Sequence, residues 1–457
     1  MPLTHDEREF LRTVHRKLTD EPLKFGSPFY EPIHKTLDDV DPVWLMQRHI
    51  ELHDAQSLQL FSGFRGAGKT TELLRLKHEL EEQGYFVLYA DALDYVNPAE
   101  PIDISDLLMV LAGSFSDALA DRIDIDVGRT SFWDRLKNFL TNTEIRISAV
   151  EAKAELSSPG KEVLGGLKAG LNVKAELKTG SSFRESLQKF LASQLTDLMA
   201  QVDQFFEDGI KAIQDSNGVD THVVFIFDQL EQLRGTYQTW QSVIRSVEQL
   251  FSIHIDKLRI PYVHAVYAVP PWLKFLLPPE APMTMLPTVH LWNNDAARSA
   301  FDPGWKAFRA LVRRRLNATD STRLFGPGGA HTGGPVDRLI AASGGHVRDL
   351  LRLLQETVKR ATALPVTARV VDSVINAARR DFLPIALDDA QWLRDIGQQR
   401  DTALRSVDER SVERLSNFLD THRVIYFVND SAWYDIHPLI RDEVDRVVAA
   451  HAARNGS

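Results

Sequence analysis

The sequence predicts an α/β protein: a parallel sheet with helices on both faces, a segment inserted into it, then a helical module and a last module of two helices and a β-ribbon. Three observations predict this. Apolar runs of strand length alternate with amphipathic stretches over residues 45–295, the pattern of strands buried on both faces. About 130 residues separate the second apolar run from the third, where a crossover needs only a few dozen. The last 70 residues change from helical periodicity to two short β-rich runs joined by a turn.

Taken in order, residues 4–19 place Phe10, Leu11, Val14 and Leu18 on one helical face. Pro22, Pro28 and Pro32 then enforce irregular chain. A helix over 42–53 leads into a first strand at 57–61. Further strands are expected at 85–90 (ending at Asp91), 221–228, 261–269 (cut off by Pro270 and Pro271) and 288–292. The insertion spans about 130–215. Within it, 144–156 and 170–179 alternate with period two around a Ser-Ser-Pro-Gly turn, which predicts a projecting β-hairpin over 144–179. A long helix over about 182–214 returns the chain to the sheet. Residues 296–383 read as helices broken by a glycine-rich loop at 325–335. Helices near 388–398 and 409–420, followed by runs at 423–428 and 433–436, give residues 384–457 the outline of a winged helix. The regions are therefore 1–44, 45–295, 296–383 and 384–457.

A chain of 457 residues is too long for one core and suggests about three domains. It has no cysteine, which excludes disulfides, thiolate zinc sites and cysteine nucleophiles together. No apolar stretch approaches bilayer length, and the first ten residues are too acidic and polar for a secretory signal. These features point to a cytoplasmic protein without a membrane partner. The formal net charge is −10, so nucleic acid could be held only by a local basic patch.

Residues Gly63 to Thr70 read Gly-Phe-Arg-Gly-Ala-Gly-Lys-Thr, a full G-x-x-x-x-G-K-[ST] phosphate loop between an apolar run and a helical one. Glycines at 63, 66 and 68 allow positive φ and close approach of the backbone to phosphate oxygens. Successive N–H groups then make an anion-binding nest at a helix N-terminus. Lys69 would reach the β- and γ-phosphates, and the Thr70 hydroxyl would join the Mg²⁺ shell. The expected nucleotide-binding set is Gly63, Phe64, Arg65, Gly66, Ala67, Gly68, Lys69, Thr70 and Thr71, with ATP and Mg²⁺ as ligands.

Phosphoryl transfer also needs a metal-holding carboxylate and a residue that orients water. Asp228 ends five apolar residues, Val223 to Phe227, as a Walker B aspartate does, and with Thr70 it is the expected metal ligand. The next residue is Gln229, whose amide cannot take a proton from water. Glu231, three residues after Asp228, is favoured as the base, with Gln229 as an amide that senses water or γ-phosphate.

These motifs resemble the P-loop ATPases of the AAA+ and STAND-like groups. Asp-Gln-Leu-Glu231 is similar to the Asp-x-x-acid motif of STAND and KAP-type switch ATPases. Ser343-Gly-Gly-His-Val-Arg-Asp349 resembles the sensor-2 turn of AAA+ lids, closest to the initiator clade that carries winged helices. The resemblance implies a P-loop NTPase core, a helical AAA+-type lid and an Arg348 that reaches the γ-phosphate. Proteins of this look often belong to bacterial conflict or antiphage systems. The departures matter too. The end of the fourth strand, Tyr267-Ala-Val-Pro-Pro271, lacks the polar sensor residue of AAA+ proteins, and no arginine stands between it and the fifth strand. Arg259 and Arg313-Arg-Arg315 are the substitute fingers, the latter run reading as a solvated helix face.

Residues 385–457 hold 9 arginines, no lysine and 13 acids, a balance that disfavours DNA. The aromatics Tyr426, Phe427, Trp433 and Tyr434 suit a core or a protein contact better than base stacking. The insertion, 130–180, carries 8 basic residues and 6 acids, a weak sign of a partner-binding arm. The expected function is an ATP-binding, slowly hydrolysing switch whose nucleotide state controls self-assembly or partner recruitment. The alternatives are an initiator-like DNA-binding ATPase and a nucleotide-holding module without turnover.

Overall fold

The computed structural model describes residues 3–37, 41–123, 131–140, 173–329, 332–404, 406, 408–429 and 431–455. It is an α/β fold whose contacts divide the chain into two compact units. One comprises residues 46–61 and 76–284, the other 1–45, 62–75 and 285–457.

The first unit is built on the sheet. Its strands are β1 (Ser57–Gly63), β2 (Phe86–Asp91), β3 (Val223–Asp228), β4 (Val263–Val269) and β5 (Met283–Leu286), in the order β2-β3-β4-β1-β5. β2 and β3 pair in parallel, as do β3 and β4. β3 and β4 are buried along their whole length, so their near-continuous apolar sequence is what a sheet covered on both faces demands. Pro270 and Pro271 stop β4 by withholding backbone donors. The helices Ile104–Ala120 and Leu195–Asn217 cover this sheet through an aromatic stack. Phe115 meets Phe206 at 5.1 Å and Phe225 of β3 at 5.5 Å, both edge-on.

The second unit joins the N-terminal helix His5–Lys17, closed by a Thr4–Glu7 capping box, to the helical region after residue 300. Leu11, Val14 and Leu18 share one core with Leu339, Ile340, Leu350 and Leu354. The C-terminal module has helices Leu387–Gln399 and Glu409–Asp420, the antiparallel ribbon β6 (Val424–Asn429) and β7 (Ser431–Ile436), and a last helix, Arg441–Asn455. The ribbon's four aromatics, Tyr426, Phe427, Trp433 and Tyr434, are all buried. Among the described residues no helix is long and apolar enough to cross a membrane.

Three expectations need correction. The fifth strand is Met283–Leu286, not 288–292. Residues 288–292 lie inside the second unit: the Thr288 N–H donates to the Tyr426 carbonyl at 3.0 Å, and Val289 packs in the helical core. Val173–Thr179 is a helix, not a hairpin arm. Its alternation is real, but Val173 and Leu177 are also four apart, both are buried, and Ala-Glu-Leu-Lys is strong helix-forming sequence. The rest of the expected hairpin, 144–172, lies outside the described residues. The single helix expected over 182–214 is two, Ser181–Leu191 and Leu195–Asn217, separated by a turn in which the Gln194 N–H reaches the Leu191 carbonyl.

The turn before the Val347–Arg360 helix depends on two glycines at φ +62° and +82°. A Cβ on Gly345 would stand 1.7 Å from the Val289 carbonyl oxygen, whereas Gly333, at φ +80°, has open space around it. Gly345→Ala is therefore expected to cost on the order of 2–4 kcal/mol, and Gly333→Ala about 1 kcal/mol. Urea midpoints of the two variants against the parent protein check the ratio.

Candidate nucleotide site

The phosphate loop leaves the end of β1 and runs directly into the helix Lys69–Glu82. Gly66 and Gly68 hold φ +90° and +104°, a conformation that carries backbone N–H groups toward a common concavity. Lys69 is buried, and its Nζ donates to the carbonyls of Gly63 at 2.8 Å and Phe64 at 3.2 Å. Arg65 is exposed, and Thr70 is half-buried. The Thr71 hydroxyl accepts the Leu23 N–H at 3.1 Å.

The first turn of that helix is tied to the N-terminal irregular segment. Arg75 forks onto Asp41 at 2.6 and 2.7 Å and reaches Glu72 at 2.8 Å. Tyr30 donates its hydroxyl proton to Glu72 at 3.1 Å. Burial raises the Glu72 carboxyl above its usual range while Arg75 pulls it back. A bidentate arginine–carboxylate pair of this kind fixes orientation as well as adding energy.

Arg348 is brought to the loop. It stands in the first turn of Val347–Arg360, and a Cβ on Gly66 would lie only 2.6–2.8 Å from Arg348 Cβ, Cδ and Nε. Its Nε is 3.6 Å from Asp20, which also pairs with Arg352 at 3.1 Å. Burial, then Arg352, hold the Arg348 guanidinium below its ordinary pKa.

In the sheet unit, Asp228 is fully buried at the end of β3. One of its oxygens accepts the Tyr89 hydroxyl and the other the Gln229 N–H, each at 2.7 Å. Gln229 is left-handed at φ 69°, and its amide donates to Asp91. Glu231 sits buried in the short 3-10 turn Leu230–Gln232. Sequence reasoning did not assign roles to Tyr89 and Asp91. The available signal was that Asp91, like Asp228, ends an apolar strand; the register pairs the two residues directly. Burial lifts the Asp91 carboxyl above its usual range, with Asp94 and Glu231 adding to it.

The Thr70 hydroxyl and the Asp228 carboxylate are hard oxygen donors, the type Mg²⁺ takes alongside phosphate and water. Of the substitute fingers, Arg315 is not solvated: it is buried and donates to the carbonyls of Lys17 and Thr19, both at 3.0 Å. Arg259 lies half-exposed, 3.6 Å from Asp256.

No protein-family model matches the chain, and no curated protein is similar to it at a significant level. Solved structures similar to it include the Walker-type ATPase PABY2304 of Pyrococcus abyssi, with 10% identity, 95% of this chain and 99% of that chain covered, and TM-score 0.38. The ORC2 protein of Aeropyrum pernix in its ADPNP–ADP complexes matches at 10% identity over 94% of this chain and 98% of that one, TM-score 0.34. Cdc6p of Pyrobaculum aerophilum matches at 10% identity over 91% and 96%, TM-score 0.27. At these scores the likeness is loose, and nothing said of the site rests on it.

Gln229→Glu would place a carboxylate directly after Asp228. Here it would set a third acid against Asp91 and Asp228, so no gain in turnover is expected. Instead the variant should lose about 1–2 kcal/mol. The loss should be larger at pH 8 than at pH 5, because the raised Asp91 takes up a proton sooner than an ordinary carboxyl as the pH falls. Thermal melts at the two pH values check the sign.

Proposed function

We propose that the chain is an ATP-binding, slowly hydrolysing switch whose nucleotide state controls self-assembly or recruitment of a protein partner. The observation that carries this reading is the seat of Arg348 on Gly66, with Asp20 as its present counter-ion. A γ-phosphate at the loop would compete with Asp20 for that guanidinium, because arginine pairs with phosphate as readily as with carboxylate. Binding ATP would then loosen Asp20 from Arg348, and ADP would not. Lys69 would exchange the Gly63 and Phe64 carbonyls for phosphate oxygens in the same event.

Thr70 and Asp228 are the residues that would hold Mg²⁺, which when bound neutralises charge on the transferring phosphoryl group. Glu231 is the base that this reading favours, because the Gln229 amide is engaged by Asp91 and carries no basic site. With no carboxylate directly after Asp228, hydrolysis is expected to be slow. Charge in the C-terminal module supports a protein partner over DNA. Arg400 and Arg441, with Arg298, converge on Asp435; Arg414 pairs with Asp389 at 2.6 Å, and Arg423 donates to the Phe382 carbonyl. Those guanidiniums are committed inside the module instead of facing phosphates.

Size measurement with ADP, with a non-hydrolysable ATP analogue and with duplex DNA tests the proposal. A change of assembly state with the analogue alone is expected. Lys69→Ala should weaken analogue binding by on the order of 100-fold. Arg348→Ala should keep nucleotide binding within a few-fold and erase the difference between analogue and ADP. No ATP turnover by the parent protein would leave only a nucleotide-holding module. A size change on DNA alone, falling steeply with salt, would favour the DNA-binding alternative.

A further inference from the structure

The residues around Arg348 carry a second constellation. His346 is the cap residue of the Val347–Arg360 helix, but its ring makes no capping bond. Asp349, three residues on, lies on the same helical face. His422 follows the helix Glu409–Asp420 at φ +57°, and His437 follows β7. The fold brings all four together within one unit. Asp349 Oδ2 stands 3.0 Å from His346 Nδ1, 3.3 Å from His422 Nδ1 and 3.8 Å from His437 Nε2. The His346 and His422 rings are 4.2 Å apart at 58°.

Hydrogen bonding accounts for only part of this cluster. His422 Nδ1 is hydrogen-bonded to Asp349 Oδ2 at 3.3 Å, the place of the proton depending on the ring's tautomer. His346 is 2% exposed, and neither of its ring nitrogens has a hydrogen-bond partner; Nδ1 approaches Asp349 at 3.0 Å without the alignment an N–H···O bond requires. That leaves the His346 lone pair able to aim at a point shared with Asp349. His437 plays a different part. Its Nδ1 accepts the Leu439 N–H at 3.2 Å, so the proton of the neutral ring sits on Nε2, facing Asp349. With Nδ1 engaged and Nε2 protonated, this ring offers no lone pair to a metal.

Distance and chemistry agree. Tetrahedral Zn²⁺ with bonds of about 2.0–2.1 Å sets its ligand atoms about 3.3–3.4 Å apart; the two separations to Asp349 are 3.0 and 3.3 Å. The ligand atoms of His346, Asp349 and His422 all lie within 4.8 Å of one another. Imidazole with a carboxylate suits zinc better than calcium or magnesium, and a chain without cysteine has only such donors to offer.

We propose that His346, Asp349 and His422 form a binding site for a divalent transition metal of the zinc class, with its fourth position open to water from the adjoining cavity. That cavity, about 770 Å³, is lined by Asp349, His422 and His437 together with Arg348 and Arg352. The metal ties the first turn of the Arg348 helix to His422, between the helix Glu409–Asp420 and β6. None of its ligands belongs to the phosphate loop or to the Asp228 cluster.

The test is Co²⁺ titration of the chelator-stripped full-length protein without nucleotide. It is read by visible absorption, because four-coordinate cobalt with nitrogen ligands absorbs far more strongly than six-coordinate cobalt in an oxygen site. One equivalent of four-coordinate Co²⁺, displaced by one equivalent of Zn²⁺ and accompanied by a rise in Tm, is expected. His422→Ala and Asp349→Asn, the two more exposed ligands, should weaken binding by more than about tenfold, while Lys69→Ala should leave the titration unchanged. Circular dichroism checks that the variants fold; if neither does, the parent titration decides. A folded parent protein without the four-coordinate spectrum overturns the proposal, and so does a spectrum that survives both substitutions.

Discussion

The close approach of Arg348 to Gly66 is possible only because residue 66 has no side chain. A methyl group there would occupy the space of three Arg348 side-chain atoms, so Arg348 would have to leave its seat on the loop. The glycine thus serves two demands at one position. It lets the loop adopt φ +90°, and it lets a guanidinium from nearly three hundred residues away lie on the loop's surface. The neighbouring turn repeats the device. Gly344 and Gly345 admit the Pro438 ring and the Val289 carbonyl where any other residue would clash. Arg348 is therefore aimed by backbone contacts on both sides, which are stiffer than side-chain contacts.

The sheet unit assembles its acidic cluster by register. Parallel strands that end at the same level deliver their last residues side by side, so two apolar runs ending in aspartate become the Asp91–Asp228 pair. Like charges this close favour neutralisation by donors. The structure supplies the Tyr89 hydroxyl, the Gln229 N–H and the Gln229 amide for that purpose. Gln229 is accordingly better explained as the partner of Asp91 than as a degraded base.

Much of this was legible in the sequence because it depends on local pattern. The first four strands, the phosphate loop and the helices at 5–17, 387–399 and 409–420 follow from apolar periodicity and punctuation by glycine and proline. What was not legible depends on distant contacts. Residues 288–292 have the composition of a strand, yet their backbone is claimed by Tyr426 and Gly345. Residues 173–179 satisfy both a period of two and a spacing of four, and burial of Val173 and Leu177 decides for the helix. Arg315 reads as one of three equal surface arginines until the carbonyls of Lys17 and Thr19 draw it inward. The histidine cluster was not read because His346 and Asp349, three apart on one helix, meet His422 and His437 only through the fold.

The chain order of the two units has a consequence for biosynthesis. By its contacts segment 62–75 belongs with residues 1–45, made before it, and with 285–457, made after the sheet strands β1 to β4. A nascent chain that has completed β4 therefore holds the segment through Leu23, Tyr30 and Asp41. Leu286, and then the helical core with Arg348, are added only afterwards. Fragments ending before Val347 would present the full phosphate-loop sequence with part of its seat missing. Quality control by proteolysis could thus distinguish finished molecules from unfinished ones at the very segment that gives the protein its chemistry.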